Sequence, residues 1–268
     1  MENKPIRTVE LSDDRLNKLR RFNLIMGAFH LIQGILMIIL SNDTTYSIYS
    51  NYLDLDLEQF KLLPMAEPVI ELPFGIAVAI FLLLSAVAHF LLGTVLFKWY
   101  GKALRSHKNP ARFIEYALSS SWMIVLIGIL TGVSDYGALI ALFGVNASMN
   151  LFGIAMEQVN QYTKKVEWAT FIYGCFAGII PWIVITLYFV GSISNAPEGQ
   201  GPPDFVYAIV PTLFAFFNIF AINMFLQYKK VGKWKDYIYG ERVYIILSLL
   251  AKTALAWQIF SGTLNPVA

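Results

Sequence analysis

The sequence predicts an all-α integral membrane protein of seven transmembrane helices, and three observations predict it. Of 268 residues, 57% are hydrophobic and only 14% charged, against roughly 45–50% and about 25% in ordinary soluble domains. Seven apolar runs are each long enough to cross the roughly 30 Å hydrocarbon core, which takes about 20 helical residues. Lys and Arg fall almost entirely in alternate connections between those runs. With a mean hydropathy of +0.57, the chain has too little polar surface for a water-soluble globule. Composition thus excludes a disordered chain, a nucleic-acid-binding domain and a cytosolic enzyme. The single cysteine, Cys175, excludes an intramolecular disulfide framework and a multi-cysteine metal site. The N-terminal stretch MENKPIRTVELSDDRLNKLRR is too charged for a cleaved signal peptide.

The spans run Leu24 to Leu40, Pro73 to Phe97, Phe113 to Val133, Tyr136 to Met156, Trp168 to Val190, Phe205 to Leu226 and Tyr244 to Leu264. Pro181, Pro211, Gly174 and Gly178 do not disqualify them, because packed neighbours satisfy freed backbone groups in a membrane bundle. Long continuous runs exclude a β-barrel, which needs alternating segments of about 10 residues. Asn109 followed by Pro110 reads as an N-cap and first residue, so the third helix starts ahead of its apolar run. No repeat or low-complexity segment interrupts the pattern, and residues 1–268 read as one seven-helix domain.

Cytoplasmic loops hold the excess of Lys and Arg. The N-terminal tail has six (Lys4, Arg7, Arg15, Lys18, Arg20, Arg21), the second loop five (Lys98, Lys102, Arg105, Lys108, Arg112), the fourth two (Lys164, Lys165) and the sixth five (Lys229, Lys230, Lys233, Lys235, Arg242). The other connections and the C-terminal tail together hold one, Lys61. The N-terminus is therefore expected in the cytoplasm and the C-terminus outside. The first outer connection, residues 41–72, is long, carries six acids and contains the strand-like TTYSIYSNYL. A small β element is expected there, serving as a cap or dimer contact or as an ordinary solvated loop.

Lys252 lies ten residues beyond Arg242 in ILSLLAKTALAWQIF, about 15 Å along the helix and near mid-membrane. A lysine there costs about 2.5–3.5 kcal/mol on insertion scales, which makes it a functional candidate. It either pairs with a carboxylate to lock the bundle or acts chemically. A desolvated amine loses proton affinity and becomes a nucleophile toward aldehydes. Seven helices around one buried lysine suggest a retinal aldehyde held as a Schiff base.

Among the 18 acids, only Glu115 falls inside a predicted span and away from its edge. Glu157 and Glu241 read as helix-end residues. Ser119 stands one turn from Glu115, and Ser248 one turn from Lys252, so each charge has a hydroxyl on its own face. His30 and His89 fall in the cytoplasmic halves of the first two spans, at the depth of Lys252 and Glu115, which suggests a single site.

The segments SLLAKTALAWQIFSGTL, EYALSSSWMIVLI, ALFGVNASM and GIIPWI resemble the heliorhodopsins, a retinal-binding seven-helix family with an inverted orientation. The resemblance covers almost all seven spans. It implies all-trans retinal on Lys252, Glu115 as counterion, Ser119 and Ser248 as hydrogen-bonding neighbours, and His30 and His89 in a polar cavity on the cytoplasmic side. It further implies a polyene lying among Asn146, Met149, Trp182, Phe217, Asn218 and Trp257, with Gln33 joining the cavity, and a homodimer. The leading function is a light sensor reporting to a cytoplasmic partner. A light-driven ion pump would want carboxylates on both sides of the Schiff base, and Ser248 occupies the place of the expected Asp. A Schiff-base membrane enzyme would want a second catalytic acid or a metal cluster, so no enzymatic role is expected.

Overall fold

Eight α-helices and one β-hairpin make up the described residues, 5–197 and 204–264, of the computed structural model. Lys4, counted with the basic tail, and residues 265–268 lie outside them. The seven long helices are α1 (Asp13–Leu40), α2 (Phe74–Gly93), α4 (Pro110–Leu130), α5 (Tyr136–Asn160), α6 (Ala169–Ser194), α7 (Asp204–Lys229) and α8 (Tyr237–Ile259), and each is long and apolar enough to cross a bilayer. A π-helical turn, Phe260–Leu264, extends α8. The bundle order follows the chain, with α1 on α2, α2 on α4, then α5, α6, α7 and α8, and α8 closing on α1.

Two ends of the bundle differ in chemistry. The basic end gathers the N-terminal segment, the short helix α3 (Phe97–Arg105) and the loops after α5 and α7. The opposite end carries the hairpin, β1 (Thr45–Asp56) and β2 (Lys61–Pro73). These strands pair antiparallel from Thr45 opposite Pro73 to Asp56 opposite Lys61, with a bulge where Ile48 and Tyr49 face Ile70 and Pro68. The expected β element is thus present, and it spans nearly the whole connection. It docks through Tyr49 N–H, which donates to Ser134 O at 2.8 Å, and through Asn51, which donates to Asp135. Asp135 also caps α5 by accepting from Ala138 N–H, and that bond holds its carboxyl below the usual range.

Several helix ends depart from the apolar runs for physical reasons. α1 begins at Asp13 rather than Leu24, capped by Ser12, because Leu16 and Leu19 bury one face while its charges point outward. The predicted second span to Phe97 breaks at Gly93. There Arg20 Nε donates to Gly93 O at 2.7 Å, and the chain restarts as α3, an amphipathic helix burying Tyr100, Gly101, Ala103 and Leu104. Asn109 caps α4 with Pro110 in the first turn, as the sequence predicts. α8 begins at Tyr237, capped by Asp236, well before Tyr244.

The half toward the hairpin is filled by one apolar cluster, including Met37, Phe74, Phe81, Leu82, Met123 to Leu126, Leu255 and Ile259. Its inner edge lies one turn beyond Lys252. The buried charged groups of the bundle, Arg112, Glu157, Glu241 and Lys252, collect on the other side of that edge.

Candidate functional site

Lys252 and Ser248 lie on the inward face of α8, four residues apart. Lys252 Nζ donates to Ser248 Oγ and to Glu115 Oε1, each at 2.9 Å. Both partners are enclosed, with side-chain exposures of 4% for Lys252 and 12% for Glu115. Nζ also sits 5.3 Å above the ring of Tyr116, whose π face favours a cation. The two residues that the depth argument singles out are thus in direct contact. Removing either would leave an uncompensated charge in a low-dielectric interior, which costs more than the pair returns.

Ser85 of α2 completes the pair, and sequence reasoning missed it. Its hydroxyl stands 2.6 Å from Glu115 Oε1 and 3.1 Å from Phe81 O. One proton serves both contacts, and the shorter one to a carboxylate takes it. Ser119, named from its spacing, is buried with its Oγ unpartnered.

His30 of α1 and His89 of α2 stack with ring centroids 5.6 Å apart. His89 Nδ1 lies 2.8 Å from Asn23 Oδ1, while Asn23 Nδ2 donates to Leu19 O. That orientation leaves Oδ1 only as an acceptor, so Nδ1 of His89 carries the proton. Both ring nitrogens of His30 are buried without a protein partner. Gln33 is one turn on, where it accepts from Trp257 Nε1 at 3.0 Å across the α1–α8 seam, and neither residue lines the cavity beside Lys252.

That cavity has a volume of about 50 Å³ and is lined by Tyr116, Met149, Phe217, Ser248 and Lys252, among others. It adjoins a second, of about 100 Å³, between α4, α5, α6 and α7, with Tyr116, Met149, Asn150, Phe217 and Phe220 common to both. Asn146 is buried alongside, donating to Ser120 and Ser121 at 2.9 and 3.0 Å. Trp182 meets Phe217 edge-on at 5.4 Å. Asn218 is a correction. It is exposed and bonded to Phe214 O on its own helix, so it faces away from the cavity.

An amine at one end of an apolar, aromatic channel fits a long apolar aldehyde such as retinal. Ligand sites hold roughly 300–1,000 Å³, more than the two cavities together. Met149, which lines both and has three rotatable bonds, is the side chain best able to yield.

A second charged cluster also corrects the sequence reading, which left Glu115 as the sole membrane carboxylate. Arg112, Glu157 and Glu241, read as loop or helix-end residues, are 6%, 3% and 1% exposed. Arg112 pairs with Glu157 at 2.8 Å and with Glu241. The signal was present in α5, where Asn146, Asn150, Gly153, Glu157 and Asn160 recur at steps of four and three and all are buried. A polar stripe at that spacing marks an inward face.

Comparison with known proteins agrees with this architecture. The transmembrane domain of Salpingoeca rosetta rhodopsin phosphodiesterase superposes with a TM-score of 0.64 at 12% identity, covering 93% of this chain and 84% of that one. The same protein's transmembrane domain with its linker region also gives 0.64 at 12% identity, covering 92% and 70%. At that identity the likeness is one of fold. A search of the curated proteins returns no match. The model of the heliorhodopsin family matches residues 19–264, nearly the whole bundle. This match covers both partners of the buried pair and every helix lining the cavity beside it, and so the chain belongs to the heliorhodopsins, retinal-binding light-sensing rhodopsins of the membrane.

Proposed function

We propose that this protein is a photosensory receptor that carries all-trans retinal on Lys252 Nζ and moves no ion across the membrane. Retinal, when bound, absorbs visible light and isomerises. The observation that carries the reading is the 2.9 Å pair between Lys252 Nζ and Glu115 Oε1 inside an apolar bundle. Glu115 balances a positive charge at Nζ. Ser248 accepts from Nζ, Ser85 steadies Glu115, and Tyr116 offers its ring face. Ser119, His30 and His89 belong to the same site in this reading, with His89 lining the polar cavity that Glu115 also lines. Met149, Phe217 and Trp182 enclose the polyene, and Asn146 stands behind it. Gln33 and Trp257 support the wall between α1 and α8.

Two features weigh against transport. Among the described residues, every buried acid (Glu115, Glu157 and Glu241) lies on the basic side of Lys252, and the hairpin side is closed by the apolar cluster. A proton leaving Nζ has buried carboxylates on one side only. The buried Glu157 and Glu241 favour a transporter more than sequence alone did, but they add no exit through the other half.

The charge count supports a cytoplasmic N-terminus, and in this reading the basic end is the face that meets a cytoplasmic signalling partner. A homodimer is the assembly we propose, with the exposed hairpin as a contact. The phosphodiesterase of the fold neighbour belongs to that protein, and we assign no enzymatic role to this chain. Expression with added retinal, followed by a visible spectrum and light-induced pH and current recordings on the same cells, tests the reading. The expected result is a visible band without sustained flux. Absence of a band overturns the retinal assignment, and a steady photocurrent establishes a pump.

A further inference from the structure

We propose that Arg112, Glu157 and Glu241 form a proton-holding site that takes up the proton leaving Lys252 Nζ in the light and returns it in the dark. The proposal rests on the reading of Lys252 given above and adds the destination of its proton.

Charge arithmetic comes first. One guanidinium faces two carboxylates, and all three side chains are buried. With both carboxylates ionised, the cluster carries one net negative charge in a low-dielectric interior. One added proton neutralises it and removes the repulsion between the two acids.

The cluster is a built site. Arg112 Nη2 donates to Glu157 Oε1, and Arg112 Nη1 donates to Glu241 Oε1. Asn109 bridges the acids, with its backbone N–H on Glu157 Oε2 at 2.6 Å and its Nδ2 on Glu241 Oε2 at 2.7 Å. Gln227 Nε2 adds a bond to Glu241 at 3.2 Å. Four elements therefore converge on two carboxyl groups.

A path joins this site to the buried pair. A cavity of about 40 Å³ is lined by Glu115, His89 and Asn23 at one end and by Asn109, Arg112, Glu241 and Tyr244 at the other. It exceeds the roughly 10–15 Å³ that one water needs, and its walls are polar enough to keep water there. Arg112 Nε and Tyr244 OH, both on lining residues, are buried without a protein partner. Orphaned donors of this kind are satisfied by water. A hydrated cavity between a proton donor and an anionic acceptor is a proton path.

The two acids are shielded from the basic surface, at 3% and 1% exposed. The N-terminal segment crosses that end, with Ile6 N–H donating to Gln161 O at 2.8 Å and Val9 N–H to Arg105 O at 2.9 Å. The proton count then closes internally. Nζ gives up a proton and keeps its electron pair, the proton rests on Glu157 or Glu241, and the reverse transfer restores the dark state. Glu115 faces the lysine as a one-to-one pair, whereas Glu157 and Glu241 share one guanidinium, so the uncompensated negative charge lies on the acid pair.

The test is light-minus-dark infrared difference spectroscopy on the full chain in lipid with retinal, labelled with carboxyl-¹³C glutamate. We expect a new carboxylic-acid carbonyl band that shifts with the label and persists in Glu115→Asp. It should be lost in Glu157→Gln, Glu241→Gln or the double variant, while a bulk pH dye records no release. A labelled band that vanishes in Glu115→Asp assigns the proton to Glu115 and overturns the proposal. So does the absence of any labelled band in wild type, which needs no variant to fold, or stoichiometric release to the dye. A protein with no visible band overturns the reading of Lys252 instead, so the two failures are distinguishable.

Discussion

Ser85 and Lys252 meet at one atom, both donating to Glu115 Oε1, at 2.6 and 2.9 Å. The counter-charge opposite Nζ is therefore set by a serine on α2 as much as by the lysine on α8. Ser85→Ala removes a bond to a charged acceptor, worth about 1.5–3 kcal/mol, and should shift the visible band. Ser248→Ala should shift it by a comparable step, and Ser119→Ala by less, because the Ser119 hydroxyl has no partner. Glu115→Gln should give the largest change, moving any remaining protonated band to the red, since the carboxylate localises positive charge at Nζ. A pH titration of the visible spectrum for the four variants checks the ranking. If Ser119→Ala outranks Ser85→Ala, the hydrogen-bond assignment is wrong.

Lys252→Ala should abolish the visible band, and it should also destabilise the protein. Removing one partner of a buried ion pair leaves the other charge uncompensated, at a cost of about 3–5 kcal/mol. The double variant Lys252→Met, Glu115→Gln removes both charges and should recover most of that loss. Thermal unfolding in detergent of the two retinal-free variants decides it. Equal stability of the single and double variants would show that Glu115 does not depend on Lys252.

Lys252 and Glu115 were legible in the sequence because a charge deep inside an apolar run has few explanations. Arg112, Glu157 and Glu241 were not, since each lies within two turns of a helix end, where charges are ordinary. Their burial comes from elements that lengthen past the apolar runs. α8 starts at Tyr237 and α5 continues to Asn160, so residues assigned to loops enter the bundle. Ser85 was hidden for the opposite reason, since one hydroxyl in FLLLSAVAHF carries no positional signal until α2 is placed against α4. Asn218 shows the limit of a resemblance, because its direction depends on the rotation of α7.

His107 predicts an acid limit to stability. It joins α3 to α4 with a φ of +55°, and its ring lies tilted against Tyr237 with centroids 4.2 Å apart. Burial, aided by Arg7 and Lys230 and opposed by Glu241, lowers its imidazole from 6.5 to about 4. The folded protein therefore binds this proton less readily than the unfolded chain. Above about pH 6.5 both states are neutral and nothing is lost. Between there and pH 4 the unfolded state gains the proton first, and stability falls by at most about 3 kcal/mol. His107→Asn, which tolerates the left-handed backbone, should flatten that limb. Melting temperatures measured from pH 7 to pH 4 should converge at the acid end, and parallel curves would assign the limb elsewhere.

Gly153 and Gly144 provide a paired test of how closely α5 packs on α4. A Cβ built on Gly153 would lie 2.1 Å from Phe113 Cε1 and 2.5 Å from Cδ1. Met156, Met224, Tyr228 and Tyr244 pack beside the ring, with the Arg112 guanidinium 4.4 Å from its centre, so it can yield only toward the cavity it lines. Overpacking of this kind costs about 1–3 kcal/mol. Phe113 also lines the cavity of about 100 Å³, so displacing it inward narrows the channel and should weaken retinal uptake as well. Gly144, on the same helix, has nothing within 4 Å of its built Cβ. Alanine there removes glycine's excess backbone entropy, worth about 0.5–1 kcal/mol within a helix. Gly153→Ala should therefore lower the melting temperature and slow pigment formation, while Gly144→Ala should leave pigment formation unchanged and stability unchanged or raised. Thermal unfolding and the rate at which the visible band grows on adding retinal measure both. If the two variants behave alike, α4 and α5 are further apart than the Gly153–Phe113 contact requires.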